Sequence, residues 1–126
     1  MRNPLRSIQK FVANLGHKRS PLWPSVRRAH LIMEKTCQWC GCDKSLEVHH
    51  IKPFHEEPKL ELEFYNLITL CEHIGEQCHL EHGHAHNWKK SVPSVREDCE
   101  KHKKEMRSWQ ETYITSARSS GQSLGK

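Results

Sequence analysis

Apolar residues recur at helical spacing near the amino terminus of the chain. The first such segment has four apolar side chains three or four positions apart, at Leu5, Ile8, Val12 and Leu15. This spacing, with Gly16 as a stop signal, predicts a short amphipathic helix over residues 5–15. A second helix is expected to begin near Ser20-Pro21, because serine caps helices well and proline is tolerated in the first turn.

Short apolar segments separated by polar loops make up the centre of the chain, residues 37–87. Residues 46–51 and 66–70 have strand character, and Lys52-Pro53 ends the first of them. The stretch from Pro53 to Glu61 contains two prolines and three acids, which predicts a loop. We expect a short helix after Cys78.

The clearest helical pattern lies near the carboxyl terminus. Residues 94–97, with Ser94 and Glu97 at the two ends, match a capping box. Positions on one face then recur every three or four residues, at Val95, Cys99, His102, Met106, Trp109 and Tyr113. Such a face predicts packing against the core or a homodimer seam. The Ser-, Gly- and Lys-rich residues from Ser116 onward are expected to be disordered.

Length and composition limit the fold. With 126 residues, of which 35% are hydrophobic and 28% charged, the chain has room for one compact domain with a small core. No apolar run approaches the ~20 residues that a membrane-spanning helix needs. The first residues also lack the continuous apolar segment of a secretory signal, so we expect a cytoplasmic protein whose cysteines are reduced.

Charge is distributed unevenly along the chain. Residues 1–35 carry a formal net charge of +7, residues 36–87 carry −6 and residues 88–126 carry +4. Basic segments on both sides of an acidic centre suggest binding to a polyanion, although two solvated helical faces explain the pattern equally well. The candidates for contacts with phosphate groups are Arg27, Arg28, Lys89 and Lys90.

Four of the six cysteines form two pairs that are candidates for a metal site. The pairs are Cys37 with Cys40, and Cys71 with Cys78. A Cys-x2-Cys turn presents two thiolates to one tetrahedral ion, and the second, wider pair completes a zinc site. Such a site joins the start of the central region to its end and supplies folding energy that a small core lacks. Cys42 and His73 are alternative fourth ligands.

The 11 histidines are concentrated beside these cysteines. His49 and His50 are adjacent, so in a straight strand they point to opposite faces and share a site only where the strand ends or twists. Further along the chain come His79, His82, His84 and His86. On a helix, positions 79 and 82 share a face, whereas position 84 joins them only if the helix tightens or breaks, for which Gly83 is suited. The sequence therefore offers a candidate cluster of imidazoles, which are good ligands for divalent metals.

Taken together, these motifs resemble the HNH endonucleases, in particular short phage and bacterial members with a zinc-bound cysteine tetrad. The resemblance covers about residues 20–88 and rests on the cysteine pairs, on residues 46–53 (Leu-Glu-Val-His-His-Ile-Lys-Pro), on residues 66–71 (Asn-Leu-Ile-Thr-Leu-Cys), and on Cys78-His79 and Gly83-His84. It also includes residues 20–27 before the first cysteine. The resemblance implies an α+β fold, with a small ββα-metal core and a structural zinc knuckle, flanked by N-terminal helices and a C-terminal helix.

The resemblance also implies roles for individual residues. The ligands of a catalytic divalent cation (Mg²⁺, Mn²⁺, Ni²⁺ or Zn²⁺) are, by position, His49, His79 and His84. His50 is the general base that takes a proton from the attacking water, and Asn66 steadies the loop that aims it. His82 stands where close relatives often have an aromatic residue, and it competes with His84 as a ligand.

The implied activity is hydrolysis of DNA phosphodiester bonds, by nicking or by double-strand cleavage. The implied partner is DNA, contacted mainly through its backbone, with no membrane partner, and with a homodimer or a larger DNA-processing complex as candidate assemblies. The expected organisation is a basic arm or helix over residues 1–19, a zinc-stapled nuclease domain with its preceding helix over 20–92, a packed C-terminal helix over 93–117, and a flexible tail over 118–126.

Two other functions fit parts of the sequence. A non-catalytic, zinc-stapled DNA-binding module would use the basic flanks and the four cysteines equally well, but it has no use for His49, His50 and His79. A disulfide-linked secreted protein would explain the cysteine count alone, and it requires oxidised thiols.

Overall fold

Within residues 18–121, the main elements of the fold are two α-helices and a small antiparallel sheet. The computed structural model describes residues 18–121, so the helix predicted over residues 5–15 lies outside it. In chain order the elements are helix α1 (Trp23–Met33), strand β1 (Leu46–His50), 3-10 turns at Pro58–Leu60 and Phe64–Asn66, strand β2 (Leu67–Cys71), a π-helix (His79–Gly83) and helix α2 (Val95–Ser119). The α+β class expected from the sequence is confirmed. No helix within residues 18–121 is long and apolar enough to span a bilayer.

The pairing of the two strands positions the histidines and the loop that follows them. β1 and β2 are antiparallel, with Leu46 opposite Cys71 and His50 opposite Leu67. Every residue of β2 is buried, whereas β1 is fully buried only at Val48 and His49. Residues 51–66 join the strands, so a long loop lies at the end of the sheet where His50 is found.

The core is small and is made partly of sulfur. Its buried residues come from the first cysteine pair, from the sheet and the residue that follows β1, from the start of the π-helix and from the first turns of α2. They are Cys37, Ile51, Ile68, Leu70, Cys71, Cys78, Val95 and Cys99. Farther along the same face of α2, the side chains of Met106, Trp109 and Tyr113 are exposed. The apolar face predicted for this helix therefore packs on the core only over its first two turns.

A single carboxylate joins both helices to the sheet. Glu34, directly after α1, accepts hydrogen bonds from the backbone amide of Thr69 at 2.7 Å and from the guanidinium of Arg96 at 3.1 Å. Burial by itself raises the pKa of Glu34, but hydrogen bonds from His30, the Thr69 amide and Arg96 outweigh it and lower the pKa from 4.5 to about 2. The ionised carboxylate therefore stabilises this junction.

The helix ends differ from the predicted ones. α1 begins at Trp23 rather than near Ser20, because the Ser20 hydroxyl accepts a hydrogen bond from the Leu22 amide at 3.1 Å and forms a separate turn. α2 does begin directly after Ser94, as predicted, but the predicted capping box is wrong: Ser94 has φ −88° and ψ 9°, and its hydroxyl donates to the Asp98 carboxylate at 3.0 Å. α2 continues to Ser119, past the predicted start of the tail, and the first helix-breaking residue is Gly121 at φ +70°.

Candidate metal centres and active site

Four thiols converge where the chain enters and leaves the sheet. The Sγ atoms of Cys37, Cys40, Cys71 and Cys78 all lie within 4.8 Å of one another, and those of Cys40 and Cys71 are 3.6 Å apart. A tight turn presents the first pair, because the Gly41 amide donates to the Cys37 carbonyl at 2.9 Å and Gly41 adopts a φ of +80°. The last residue of β2 supplies Cys71, so the cluster links two distant parts of the chain.

The chemistry of this cluster is compatible with a zinc site. Burial raises the pKa of the Cys40 thiol to about 12 and also raises that of Cys78, whereas hydrogen bonds outweigh burial at Cys71 and lower its pKa to about 7. Four thiols this close offer the sulfur ligands of a tetrahedral zinc site. All six cysteines belong to the described residues and none forms a disulfide. Of the two alternative fourth ligands, Cys42 directs its thiol to the Lys44 carbonyl at 3.6 Å and His73 is exposed, and neither is a member of the cluster.

Three histidine rings, those of His49, His79 and His84, form a second cluster that is separate from the thiols. His49 Nδ1 lies 3.1 Å from His79 Nε2, and His84 Nε2 lies 3.3 Å from the same His79 atom. His49 comes from β1, whereas the other two rings stand at the start and just past the end of the π-helix. Because a π-helix bonds residues five apart, it brings positions 79 and 84 to one side, which a regular α-helix would not do.

Hydrogen bonds fix where the protons sit on two of these rings. His79 Nδ1 donates to the Glu72 carboxylate at 2.9 Å, and His84 Nδ1 donates to the Lys90 carbonyl at 2.7 Å. Since both acceptors lack a proton to give, each Nδ1 carries the hydrogen and each Nε2 presents a lone pair. Two lone pairs facing each other repel without a cation between them. Their separation of 3.3 Å is about that of two nitrogens, each ~2.0–2.1 Å from one tetrahedral ion.

The third ring, His49, is buried and kept neutral. Burial, together with the neighbouring histidines, lowers the pKa of His49 to about 3. Its Nε2 atom is buried without a hydrogen-bond partner among residues 18–121, and it lies against Gly83. A Cβ added at Gly83 would lie 3.3 Å from the His49 ring and 3.1 Å from the Leu70 side chain, so any larger residue there would have to shift its neighbours by a few tenths of an ångström.

His50 is not a member of the three-ring cluster, and the loop after β1 orients it. Its Nε2 atom lies 2.9 Å from the backbone carbonyl oxygen of Glu61 and donates to it, which leaves the lone pair on Nδ1. The ring of Trp23 packs against the imidazole, with 4.4 Å between ring centroids. Burial lowers the pKa of His50, so this ring is neutral at pH 7.

Asn66 ties together the two ends of that loop. Its Oδ1 accepts from the Lys52 amide at 2.9 Å, while its Nδ2 donates to the carbonyls of Lys52 at 3.0 Å and Leu60 at 3.3 Å. Leu60 directly precedes Glu61, so the buried Asn66 amide holds the backbone segment whose carbonyl orients His50.

A cavity of about 660 Å³ lies beside the three-histidine cluster and beside His50. Its lining includes His49, His50, His79 and His84, together with Phe54, Trp88, Arg19, Lys89 and Lys90. Two of the four predicted phosphate-contacting residues, Lys89 and Lys90, therefore lie at the cavity. The other two lie on α1 away from it, where Arg27 contacts the Glu47 carboxylate at 3.4 Å and Arg28 is exposed.

Sequence reasoning missed Arg19 and Glu61. The Arg19 guanidinium lies over the Phe54 ring, 4.7 Å from its centroid, and its Nη1 is 3.4 Å from the buried Glu61 carboxylate. The same carboxylate accepts a hydrogen bond from the Ser20 amide at 3.1 Å. No spacing pattern connects these residues, because they are far apart in the chain and only the folded loop brings them together.

His82, the competing ligand, lies elsewhere. Its ring stacks on Trp39 with 3.5 Å between centroids, and Trp39 also stacks on His102 at 4.2 Å. The geometry thus brings His84, and not His82, to the imidazole cluster.

Comparison with known proteins agrees with this geometry. Residues 37–85 match the family model HNH, described as HNH endonuclease. No curated protein and no solved structure matches the chain. The family match indicates a nuclease or DNA-binding role, with DNA as the substrate or partner and with metal ions as cofactors. The matched segment contains both the cysteine cluster and the converging histidines, so residues 37–85 are similar to the HNH endonuclease domain in sequence and carry both groups of candidate metal ligands.

Proposed function

We propose that this protein is a metal-dependent endonuclease that hydrolyses DNA phosphodiester bonds, with His50 as the general base. One observation carries the proposal: an oriented, neutral histidine lines the same cavity as three imidazoles whose lone pairs converge. A zinc-stapled binding module without catalysis would need neither feature.

The proposed proton acceptor is Nδ1 of His50. The Glu61 carbonyl holds Nε2–H and leaves the Nδ1 lone pair for a water molecule in the cavity. The lowered pKa of His50, which burial causes, keeps the ring unprotonated at neutral pH. Asn66 acts on the base through the loop, so its proposed role is to position Glu61.

The proposed ligands of the catalytic divalent cation are Nδ1 of His49 and the Nε2 atoms of His79 and His84. When bound, the cation stabilises the negative charge that develops on the phosphate and on the leaving oxygen. Three neutral imidazoles favour a transition-metal ion over Mg²⁺, which prefers oxygen ligands. Gly83 and the two Nδ1 hydrogen bonds hold the rings in place.

The cysteine cluster is proposed to bind a structural zinc ion through Cys37, Cys40, Cys71 and Cys78. Three of these thiols are buried in the core, and the cluster joins the turn before β1 to β2 and to the start of the π-helix. Zinc binding at such a site contributes directly to folding.

The proposed DNA contacts are made by basic side chains around the cavity. Lys89, Lys90 and Arg19 line it, and Arg27 and Arg28 extend the basic surface along α1. Contacts of this kind are made to phosphates and carry little sequence information, which predicts salt-dependent binding. Hydrolysis assisted at the leaving 3′ oxygen would yield a 5′ phosphate and a 3′ hydroxyl.

The proposal is tested by cleavage of supercoiled plasmid DNA with Mg²⁺, Mn²⁺, Ni²⁺ or Zn²⁺. We expect wild-type protein to nick or linearise the plasmid, and His50→Ala to lose at least about 100-fold in rate while binding DNA normally in a gel-shift assay. His73→Ala, which alters an exposed histidine outside the cavity lining, is the matched control and should cleave as wild type does. Binding of DNA without cleavage in any of the four ions would favour the non-catalytic module.

A further inference from the structure

A carboxylate lies against the outer edge of one of the converging imidazoles. Glu72 Oε1 is 2.9 Å from Nδ1 of His79, the ring nitrogen opposite the one that faces His49 and His84. Glu72 is not a member of the cluster itself, because its oxygen approaches the ring from the far side.

The end of β2 determines where this carboxylate points. Successive side chains of a strand point to opposite faces, so Cys71 reaches the thiol cluster and the next residue reaches the imidazole cluster. The Glu72 amide donates to the Ser45 carbonyl at 2.8 Å, which continues the strand pairing one residue past β2. The carboxylate is therefore held on sheet backbone rather than on a free loop.

The three rings differ in the hydrogen-bond partner of their outer nitrogen, the one that points away from the cluster. His79 has a charged carboxylate, His84 has the neutral Lys90 carbonyl, and the outer nitrogen of His49 has no partner among the described residues. A hydrogen bond to an anion is stronger than one to a neutral carbonyl, and it makes the opposite ring nitrogen a better electron donor. His79 is thus the ring whose donor strength depends most on a neighbour.

We infer that Glu72 is a positioning residue for the imidazole metal site. It holds His79 as the Nδ1–H tautomer and strengthens Nε2 as a ligand. This inference rests on the proposed function, which assigns His79 to the cation. The Glu72 side chain is 43% exposed and makes no contact with the core cluster, so replacing it alters the ligand without removing core packing.

The test is a calorimetric titration of zinc-loaded, full-length protein with Ni²⁺, an ion that imidazole binds well. We expect Glu72→Ala to bind Ni²⁺ about 10–100-fold more weakly than wild type. Glu72→Gln should fall between the two, because its amide oxygen still accepts the His79 hydrogen bond but carries no charge. Glu76→Gln removes the same charge from an exposed carboxylate that makes no side-chain hydrogen bond or ion pair within residues 18–121, and it should bind as wild type does.

Zinc content and the thermal midpoint, measured on each variant, separate a change at the site from a loss of fold. Wild-type affinity in Glu72→Ala would overturn the inference, and so would an equal weakening in Glu76→Gln, which would mean a general charge effect. A wild-type chain that binds no Ni²⁺ and cleaves no DNA would refute the proposed function itself. The wild-type titration and cleavage assay therefore distinguish the two failures.

Discussion

The Nε2 atom of His50 donates a hydrogen bond to the backbone carbonyl of Glu61 at 2.9 Å. This contact connects β1 to a loop residue whose own carboxylate is buried and binds the Ser20 amide. A single residue therefore orients the proposed base through its backbone and holds the segment before α1 through its side chain. Loosening the loop should disturb the base without touching it.

Asn66→Ala tests that relationship. The substitution removes three hydrogen bonds made by a buried side chain and leaves the Lys52 amide and carbonyl without these partners, so we expect a loss of stability of about 1–3 kcal/mol. We also expect the cleavage rate to fall by about 10²-fold, because small misplacements of a catalytic group are costly. Rates are measured on plasmid DNA at a temperature where urea titration shows that the variant is folded. An unchanged rate in folded Asn66→Ala would contradict the role proposed for this amide.

Gly83→Ala should weaken the imidazole site. An added methyl group would lie 3.3 Å from the His49 ring and 3.1 Å from the Leu70 side chain, so the ring or the π-helix must shift by a few tenths of an ångström. Overpacking of this kind costs about 1–3 kcal/mol, and the shift disturbs the convergence of His49 with His79 and His84. Ni²⁺ titration and thermal unfolding measure the two effects. Wild-type values in both would show that the close approach has no functional importance.

The thiol cluster should be necessary for folding, whereas Cys42 should not. We expect Cys71→Ser to lose the structural zinc and most of the cooperative thermal transition, since metal binding supplies folding energy. Cys42→Ser is the matched control, because the Cys42 thiol contacts the Lys44 carbonyl and lies outside the cluster. Zinc analysis and circular dichroism of the two variants are the measurements. Full zinc content in Cys71→Ser would contradict the proposed ligand set.

Stability should fall in acid through Glu34. Its folded-state pKa, about 2, is below the ordinary value of 4.5, so its stabilising effect is complete above pH 4.5 and is lost as the pH falls toward 2. A shift of this size corresponds to at most about 3 kcal/mol at neutral pH. Urea unfolding of wild type and Glu34→Gln should show a difference in free energy at pH 7 that shrinks by pH 3. Comparison of the two proteins at each pH cancels the acid sensitivity of the zinc site. A difference that does not depend on pH would refute this assignment.

Arg19→Ala should weaken DNA binding and lower its salt dependence. If the guanidinium at the cavity neutralises one phosphate, the slope of log K against log salt falls by about 0.9. Arg19→Lys should keep the slope but lose part of the affinity, because lysine lacks the planar, two-pronged donor. Lys104→Ala, on the exposed surface of α2 and outside the cavity lining, is the control. Equal slopes for wild type and Arg19→Ala would exclude a phosphate contact.

Features that depend on short spacings were predictable from the sequence. The Cys37 and Cys40 turn, the strand that holds His49 and His50, and the apolar segment that ends in Cys71 are each encoded within a few neighbouring residues. The α+β class followed from those elements. The predicted helix start near Ser20 and the capping box at Ser94 were wrong, because local contacts of the two serine hydroxyls replaced the expected caps, although α2 does begin directly after Ser94.

The amino-acid sequence by itself determined the donor chemistry: four cysteines in two pairs, histidines on either side of them and basic segments at both ends. Only the tertiary structure decided how these groups meet. It brought His84 rather than His82 to the imidazole cluster, placed Arg19 beside the cavity and turned Glu61 inward and Glu72 toward His79. The reason is that the chemistry of a residue is a property of its own side chain, whereas its contacts depend on the whole fold. The strand register, the wide turn of the π-helix and the loop that Asn66 closes bring together residues that are distant in the chain.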